Sequence, residues 1–417
     1  MAGSLANSGR SQLAIKLEGV YPTNFGVVQA GNGTVIARVT DNLSGDLTFV
    51  ESKTLRSDRQ IAGMSQTDIA VQGSIDIEHI YKEYDPLLQN VLQQDYTVYG
   101  TNGVSGNVAI TPSATTFTAG AAPTGNDAWT NLQKGQWFKL IPPPGASQAV
   151  KDYLKYQPFR VSLSTAPTTT VITVDATTPI NTAIVGTSSI TNCNIATSFA
   201  VNGSTIKTYS VEVGHLDIGQ YRQYLGMVTG KFSLKLDPAA IVTGSFEFMG
   251  KNHVLLQASG MGTPTASQTF TPANATKGVF DIIENGATLS TLTYLKSGEF
   301  TIDNTLRDQN AVGVFGCAGI GVGTLRCTGK MSVYFAEASM YQRVLNATTS
   351  SLALPILDKD GNGYVYFFPN ITYTAVKPET GGTDADSMLN IDWTASVDNS
   401  TGNAWSGKTV VIYRVGL

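Results

Sequence analysis

The sequence predicts a mainly β protein in which one β unit occurs twice, with a few short helices and a small inserted β region. Three observations carry that reading. Apolar residues alternate with polar ones along most segments, the period of strands with one buried and one wet face. Gly is abundant (42 of 417 residues), and charged residues make up 14%, against roughly a quarter in ordinary domains. Turns are therefore plentiful, and much of the surface falls to Ser, Thr, Asn and Gln. Finally, the frame apolar-x-Gly-x-apolar-x-apolar occurs at 71–77, 242–248 and 327–333, centred on Gly73, Gly244 and Gly329.

Taken in order, residues 1–33 are polar and Gly-rich and read as an N-terminal arm that needs a partner to become ordered. Ile69, Val71, Ile75 and Ile77 then alternate with Ala70, Gln72, Ser74, Asp76 and Glu78, a half-buried strand. Asp85 opens a helix with Pro86 at its first position and Leu87, Leu88, Val91 and Leu92 as its apolar stripe. Residues 99–198 differ in character, being Thr-rich, Gly-rich and broken by Pro142, Pro143, Pro144 and Gly145. Segments 135–141, 159–163 and 170–174 there read as strands of a small barrel or sandwich. Alternation resumes at Phe232, Leu234 and Leu236, at Val242, Phe246 and Phe248, and at Leu325, Cys327, Met331, Val333 and Phe335. A second helix is expected over 339–345, with Met340, Tyr341, Val344 and Leu345 on its apolar side.

Repetition outranks any single motif as evidence of architecture. The first and third Gly frames share their context: Thr54-Leu55-Arg56 matches Thr305-Leu306-Arg307, and each triplet leads through a loop to the Gly strand and on to a short helix. The expected division is an arm at 1–33, a discontinuous first domain at 34–98 and 199–262, an outer decoration at 99–198, and a second domain at 263–417.

Chemistry is scarce. Lys plus Arg (27) nearly balances Asp plus Glu (31), giving −4, which excludes a basic nucleic-acid reader. No apolar run approaches a membrane span. Cys193, Cys317 and Cys327 fit free thiols better than a disulfide framework. Residues 402–409 (GNAWSGKT) match a phosphate-binding loop, but the segment after Thr409 reads as a strand, where the motif needs a helix; a turn is the better reading. Residues 358–363 (DKDGNG) open like a calcium loop, but Pro369 stands where the closing Glu belongs. His79, His215 and His253 share no ligand spacing, and His79 reads as a surface imidazole. No catalytic residue, cofactor or metal is expected.

Segments 51–60 (ESKTLRSDRQ), 73–78 (GSIDIE) and 84–88 (YDPLL) resemble the tail tube proteins of long-tailed bacteriophages. So do 211–214 (VEVG), 221–227 (YRQYLGM), 244–251 (GSFEFMGK), 358–364 (DKDGNGY), Phe368-Pro369 and 388–393 (MLNIDW). The resemblance implies tube-domain β-sandwiches whose strands line a ring lumen. It also implies rings stacked around a tape-measure protein in a virion tail that is assembled in the host cytoplasm. Tail terminator and distal tail proteins would cap the tube, and duplex DNA would pass through without specific binding. Six single-domain chains usually make such a ring, so a duplicated chain suggests three.

Within that reading, Ser74, Asp76, Glu78, Ser245 and Glu247 are expected to face the lumen. In the third frame Arg326 and Lys330 fall on the same side, so the lining is not uniformly acidic. Ring stacking is assigned to the arm and to the loops carrying Thr54, Arg56 and Arg59, and Arg307. The competing reading is a carbohydrate-binding or adhesin-like sandwich with Trp129, Trp137 and Trp405 as a sugar platform.

Overall fold

Alternating sequence becomes antiparallel sheet wherever one face finds a core. In the computed structural model, which describes residues 6–417 except 187, 277, 280–281, 290–292, 337–338, 381 and 384–385, that core is one continuous apolar cluster. It runs from Leu13 to Ile412. The strands that matter are β1 (Ser11–Val20), β2 (Ser44–Glu51), β3 (Met64–Glu78), β4 (Lys207–His215), β5 (Gln220–Leu236) and β6 (Thr243–Gly250). They continue with β7 (Leu295–Asp303), β8 (Arg326–Tyr334), β9 (Thr349–Leu357), β10 (Gly363–Glu379), β11 (Met388–Ala395) and β12 (Val411–Val415). Helix α1 (Asp85–Leu92) follows β3, and a later helix, α3 (Ser339–Leu345), follows β8; α2 (Gln148–Lys155) lies between them in the chain.

Eight of these strands form a wall in the order β2-β3-β6-β5-β7-β8-β11-β10, antiparallel throughout. The order contains the duplication. Its first half, β2-β3-β6-β5, and its second, β7-β8-β11-β10, follow the same chain path, with α1 and α3 at the same step. Even the irregularities recur. Register slips between Tyr209 and Val211 on β4 and between Thr229 and Lys231 on β5. It slips again between Ser350 and Leu352 on β9 and between Tyr373 and Ala375 on β10. A bulge bends a strand locally, and here it lets the 17-residue β5 and β10 leave the wall and join a second layer. In the first half that layer is β1, β4 and the start of β5; in the second it is β9, the start of β10 and β12.

The repeated Gly has a steric cause. Gly73 lies across from Phe248, and Gly329 across from Trp393. A Cβ on Gly329 would overlap the Trp393 indole, and one on Gly73 would sit 2.6 Å from the Leu43 Cα. Gly244 has no such counterpart, since the equivalent position on β11 is Leu389.

Two expectations change. Residues 11–20 do not hang free: β1 pairs with β4 from Ser11↔His215 to Val20↔Lys207 and buries Leu13, Ala14 and Ile15. The polar look of 1–33 hid this strand because its buried Glu18 is satisfied internally, accepting from Ser210 Oγ (2.9 Å), Gly226 N (2.8 Å) and Gly26 N (2.8 Å). His79 is not on the surface either. It is buried, hydrogen-bonded to Tyr366 Oη at 2.7 Å, and loss of hydration pushes its pKa down to about 4.

Residues between Tyr99 and Ala196 build a six-stranded sheet with their own core, including Phe117, Trp129, Phe138 and Phe159. This region enters and leaves at one place, where Val98 pairs with Ser198. Trp137 reaches out of it into a cluster with Val365, Phe367, Trp405 and Tyr413. All three thiols are buried and unpaired, and residues 402–407 form turns leading to β12. The Asp358 carboxylate accepts from the backbone N of Asp360 and Asn362 (2.8 Å each), as a turn requires.

Candidate functional site

One face of the eight-stranded wall packs on the core; among the described residues nothing covers the other. Ser74, Asp76, Glu78, Ser245, Glu247 and Lys330 all lie on this open face, half-buried or exposed. The ladder arranges it in rows. Ser74, Glu247, Lys231, Asp303 and Arg326 stand side by side in one. Asp76, Ser245, Ser233, Thr301, Thr328 and Thr394 form the next, and Glu78, Thr243, Lys235, Glu299, Lys330 and Asp392 the third. The outer rows alternate in charge, while the middle row is mostly hydroxyls.

Cations on this face have carboxylates at hand. Lys231 Nζ is 2.7 Å from Glu247, Lys235 is 2.7 Å from Asp237, and Lys330 is 3.6 Å from Glu299. Such exposed pairs add little to stability; their effect is on the field, since a paired lysine presents less free positive charge at this face. Sequence reasoning missed Lys231, Lys235, Glu299 and Asp303 as members of the face. Their signal was present in the phase of β5, where burying Phe232, Leu234 and Leu236 turns Lys231, Ser233 and Lys235 outward.

The wall ends in two free edges. Among the described residues, β2 is paired only with β3, and residues 373–379 of β10 only with β11. Pro378 sits on that free edge, the position in a sheet where a missing N–H is tolerated. Leu47, Phe49, Val50 and Met64 are exposed on the β2–β3 hairpin.

The stacking candidates fall on equivalent hairpins in different settings. Thr54, Arg56 and Arg59 occupy the exposed tip of β2–β3, where Arg56 pairs with Asp58 at 2.6 Å. Arg307 begins the β7–β8 connection, which folds back on the first half: Arg307–Gln309 pairs with Gly319–Gly321, and Cys317 and Ile320 pack with Phe25 and Val228. Tyr21 Oη both donates to the Ile320 carbonyl (2.9 Å) and accepts from its N–H (3.1 Å).

Beneath the wall, α1 is fastened to the second half. Asp85 accepts from Arg414 Nη1 at 2.5 Å and from Tyr364 Oη at 2.6 Å, and burial raises its carboxyl pKa while Arg414 lowers it in part. In the second half the buried Glu284, on a short strand, accepts from Arg343 of α3, from Ser350 Oγ and from Tyr373 Oη. These are buried, fully used groups with a structural role.

Among the described residues no cluster of His, Cys, Asp and Glu could hold a metal ion, and no helix is long and apolar enough to cross a membrane. Trp129, Trp137 and Trp405 are buried at 0%, 0% and 5% exposure, so none offers a ring to a sugar. Comparison with curated proteins finds no match. A family model described as phage tail tube protein matches residues 8–395, which takes in both halves of the wall, and the chain therefore belongs to the phage tail tube protein family, structural components of the virion.

Proposed function

We propose that this protein forms rings of three chains that stack into the tail tube and conduct duplex DNA into the host. The observation that carries the reading is the wall itself: two equivalent four-stranded halves already joined edge to edge, with both outer edges unpaired. A free edge is a template for pairing, and a head-to-tail contact that closes makes a ring. Three chains supply about twenty-four strands; at ~4.8 Å spacing and ~40° tilt the circumference is ~150 Å. The backbone diameter is then ~48 Å and the clear bore roughly 40 Å, wide enough for a duplex.

The open face serves as the lumen lining. Hydroxyls and carboxylates repel or ignore phosphates, and Lys231, Lys235 and Lys330 each have a carboxylate partner, so DNA finds little of the counterion-release affinity that free cations provide. The tape-measure protein would occupy this bore before DNA does, with terminator and distal tail proteins at the ends and assembly in the host cytoplasm. The exposed β2–β3 tip with Thr54, Arg56 and Arg59 is the ring-stacking element; the β7–β8 tip with Arg307 is engaged within the chain and contributes less.

Negative-stain microscopy of the concentrated chain tests the tube, and solitary particles would reject it. For the lining, Asp76→Arg combined with Glu247→Arg removes two carboxylates and leaves Lys231 unpaired. Tubes are expected to form and DNA delivery to slow; ejection at the parental rate would remove the lumen assignment.

A further inference from the structure

We infer that neighbouring chains join by pairing β10 of one copy with β2 of the next in the register that β5 and β7 already use within the chain. This rests on the ring reading above and adds its residue-level joint. Inside the chain the joint runs from Lys231↔Asp303 to Leu236↔Gly298. A shared bulge makes β5 equivalent to β10, and alignment of Gly73 with Gly329 makes β2 equivalent to β7, so Lys231 corresponds to Ala375 and Asp303 to Asp46. Carried over, the pairs are Ala375↔Asp46, Val376↔Gly45, Lys377↔Ser44, Pro378↔Leu43 and Glu379↔Asn42.

Three features fit that register. The Asn304 N–H donates to the Gly230 carbonyl, which sets the alternation of hydrogen-bonded pairs and makes Leu234↔Phe300 one of them. Its counterpart is Pro378↔Leu43. Pro378 has no N–H to give, and the Leu43 carbonyl needs none, because it already accepts from Tyr224 Oη at 2.7 Å. Shifting the pairing by two residues would set Pro378 against a different carbonyl.

The second feature is apolar. Within the chain Asn304 Nδ2 donates to the Val91 carbonyl (2.7 Å) at the end of α1, where Leu92 is 1% exposed. The corresponding helix end carries Leu345, 65% exposed, and the residue in the place of Asn304 is Leu47, 46% exposed. The joint brings these two leucines together, replacing a polar tie by an apolar one.

Charge is the third. Lys377, exposed, opposite the uncharged Asn390 and in no ion pair among the described residues, falls one step diagonally from Asp46 of the next copy, where a diagonal pair is within reach of a long side chain. The occupant of both edges is thus a second copy of this chain.

The test is a cysteine pair. Lys377 and Ser44 form a non-hydrogen-bonded pair in this register, with Cα atoms about 4.5 Å apart, inside the range a disulfide spans. The native thiols are buried. Tubes of the Lys377→Cys, Ser44→Cys variant should oxidise to a covalent species of three chains, while Lys377→Cys with Thr48→Cys, about 13 Å out of register, should stay monomeric on a denaturing gel. Tubes that form without cross-linking would overturn the joint and leave the tube reading standing; absence of tubes from the parental chain would overturn both. Independently, Asp46→Lys should abolish rings and added Lys377→Asp should restore them, with the melting temperature of the unassembled chain unchanged; failure to restore counts against the register.

Discussion

At the scale of single residues, the Gly frame that marks the repeat is a packing device. Gly329 exists because the Trp393 ring lies on it, and the overlap that a methyl would create has no flexible end to relieve it. Gly329→Ala should therefore destabilise the chain by about 2 kcal/mol, in the range of overpacked cores. Trp393→Leu added to it should recover part of that loss, and a thermal-denaturation double-mutant cycle would show the coupling; strictly additive effects would mean that the ring is not the cause. His79 makes a second residue-scale case. Its folded pKa of about 4 lies below the unfolded value of about 6.5. Between those values the unfolded chain binds the extra proton, so stability falls as pH drops through this window, by about 3 kcal/mol in all. His79→Gln, which keeps a hydrogen-bonding amide for Tyr366, should lose less stability between pH 7 and pH 4 than the parent. Parallel melting-temperature profiles would dismiss the effect.

Elements were legible wherever period two met a one-sided core. Ile75 and Ile77 against Asp76 and Glu78, or Phe246 and Phe248 against Glu247, gave both the strand and its open face. Pro86 and the apolar stripe placed α1, which spans Asp85–Leu92; Asp85, read as its cap, is instead its first residue and caps no backbone N–H, its carboxylate being taken by Arg414 and Tyr364. Two things were not legible, for the same reason: they depend on partners distant in the chain. β1 carries Glu18 among apolar residues, and only Ser210, Gly26 and Gly226 make its burial tolerable. His79 likewise finds Tyr366 some 287 positions away. The free edges escaped notice too, since which strand ends a sheet is decided by pairing and not by pattern. This bears on truncation. Removing residues 2–20 strips a full strand from β4 and uncovers Val211 and Val213, both buried beside it. The expected outcome is a chain that unfolds or aggregates, seen as loss of a cooperative melting transition; a deletion variant that melts like the parent and only fails to elongate would restore the arm.

For the whole molecule, the duplication and the insertion would impose different symmetries on the proposed three-chain ring. The wall halves match strand for strand, and β5 and β10 share their bulge, so the bore of a three-chain ring would repeat six times at the level of the strands. The domain of residues 99–196 has no counterpart in the second half. It leaves and rejoins the chain beside Val98 and Ser198, away from the open face, and Trp137 and the Lys139 contact to the Gly361 carbonyl hold it against the second half. In the proposed ring it would therefore appear once per chain, on the outside. End-on averages of the tube should show three peripheral knobs around a bore of near-sixfold outline. Replacing residues 101–195 by a short Gly-Ser linker should erase the knobs and keep the bore, with a lower melting temperature because the pocket around Val365 and Trp405 loses Trp137. Six equal knobs would mean one ring of six chains, or two rings in projection, and the equivalence of the two wall halves would then have nothing to do with closure.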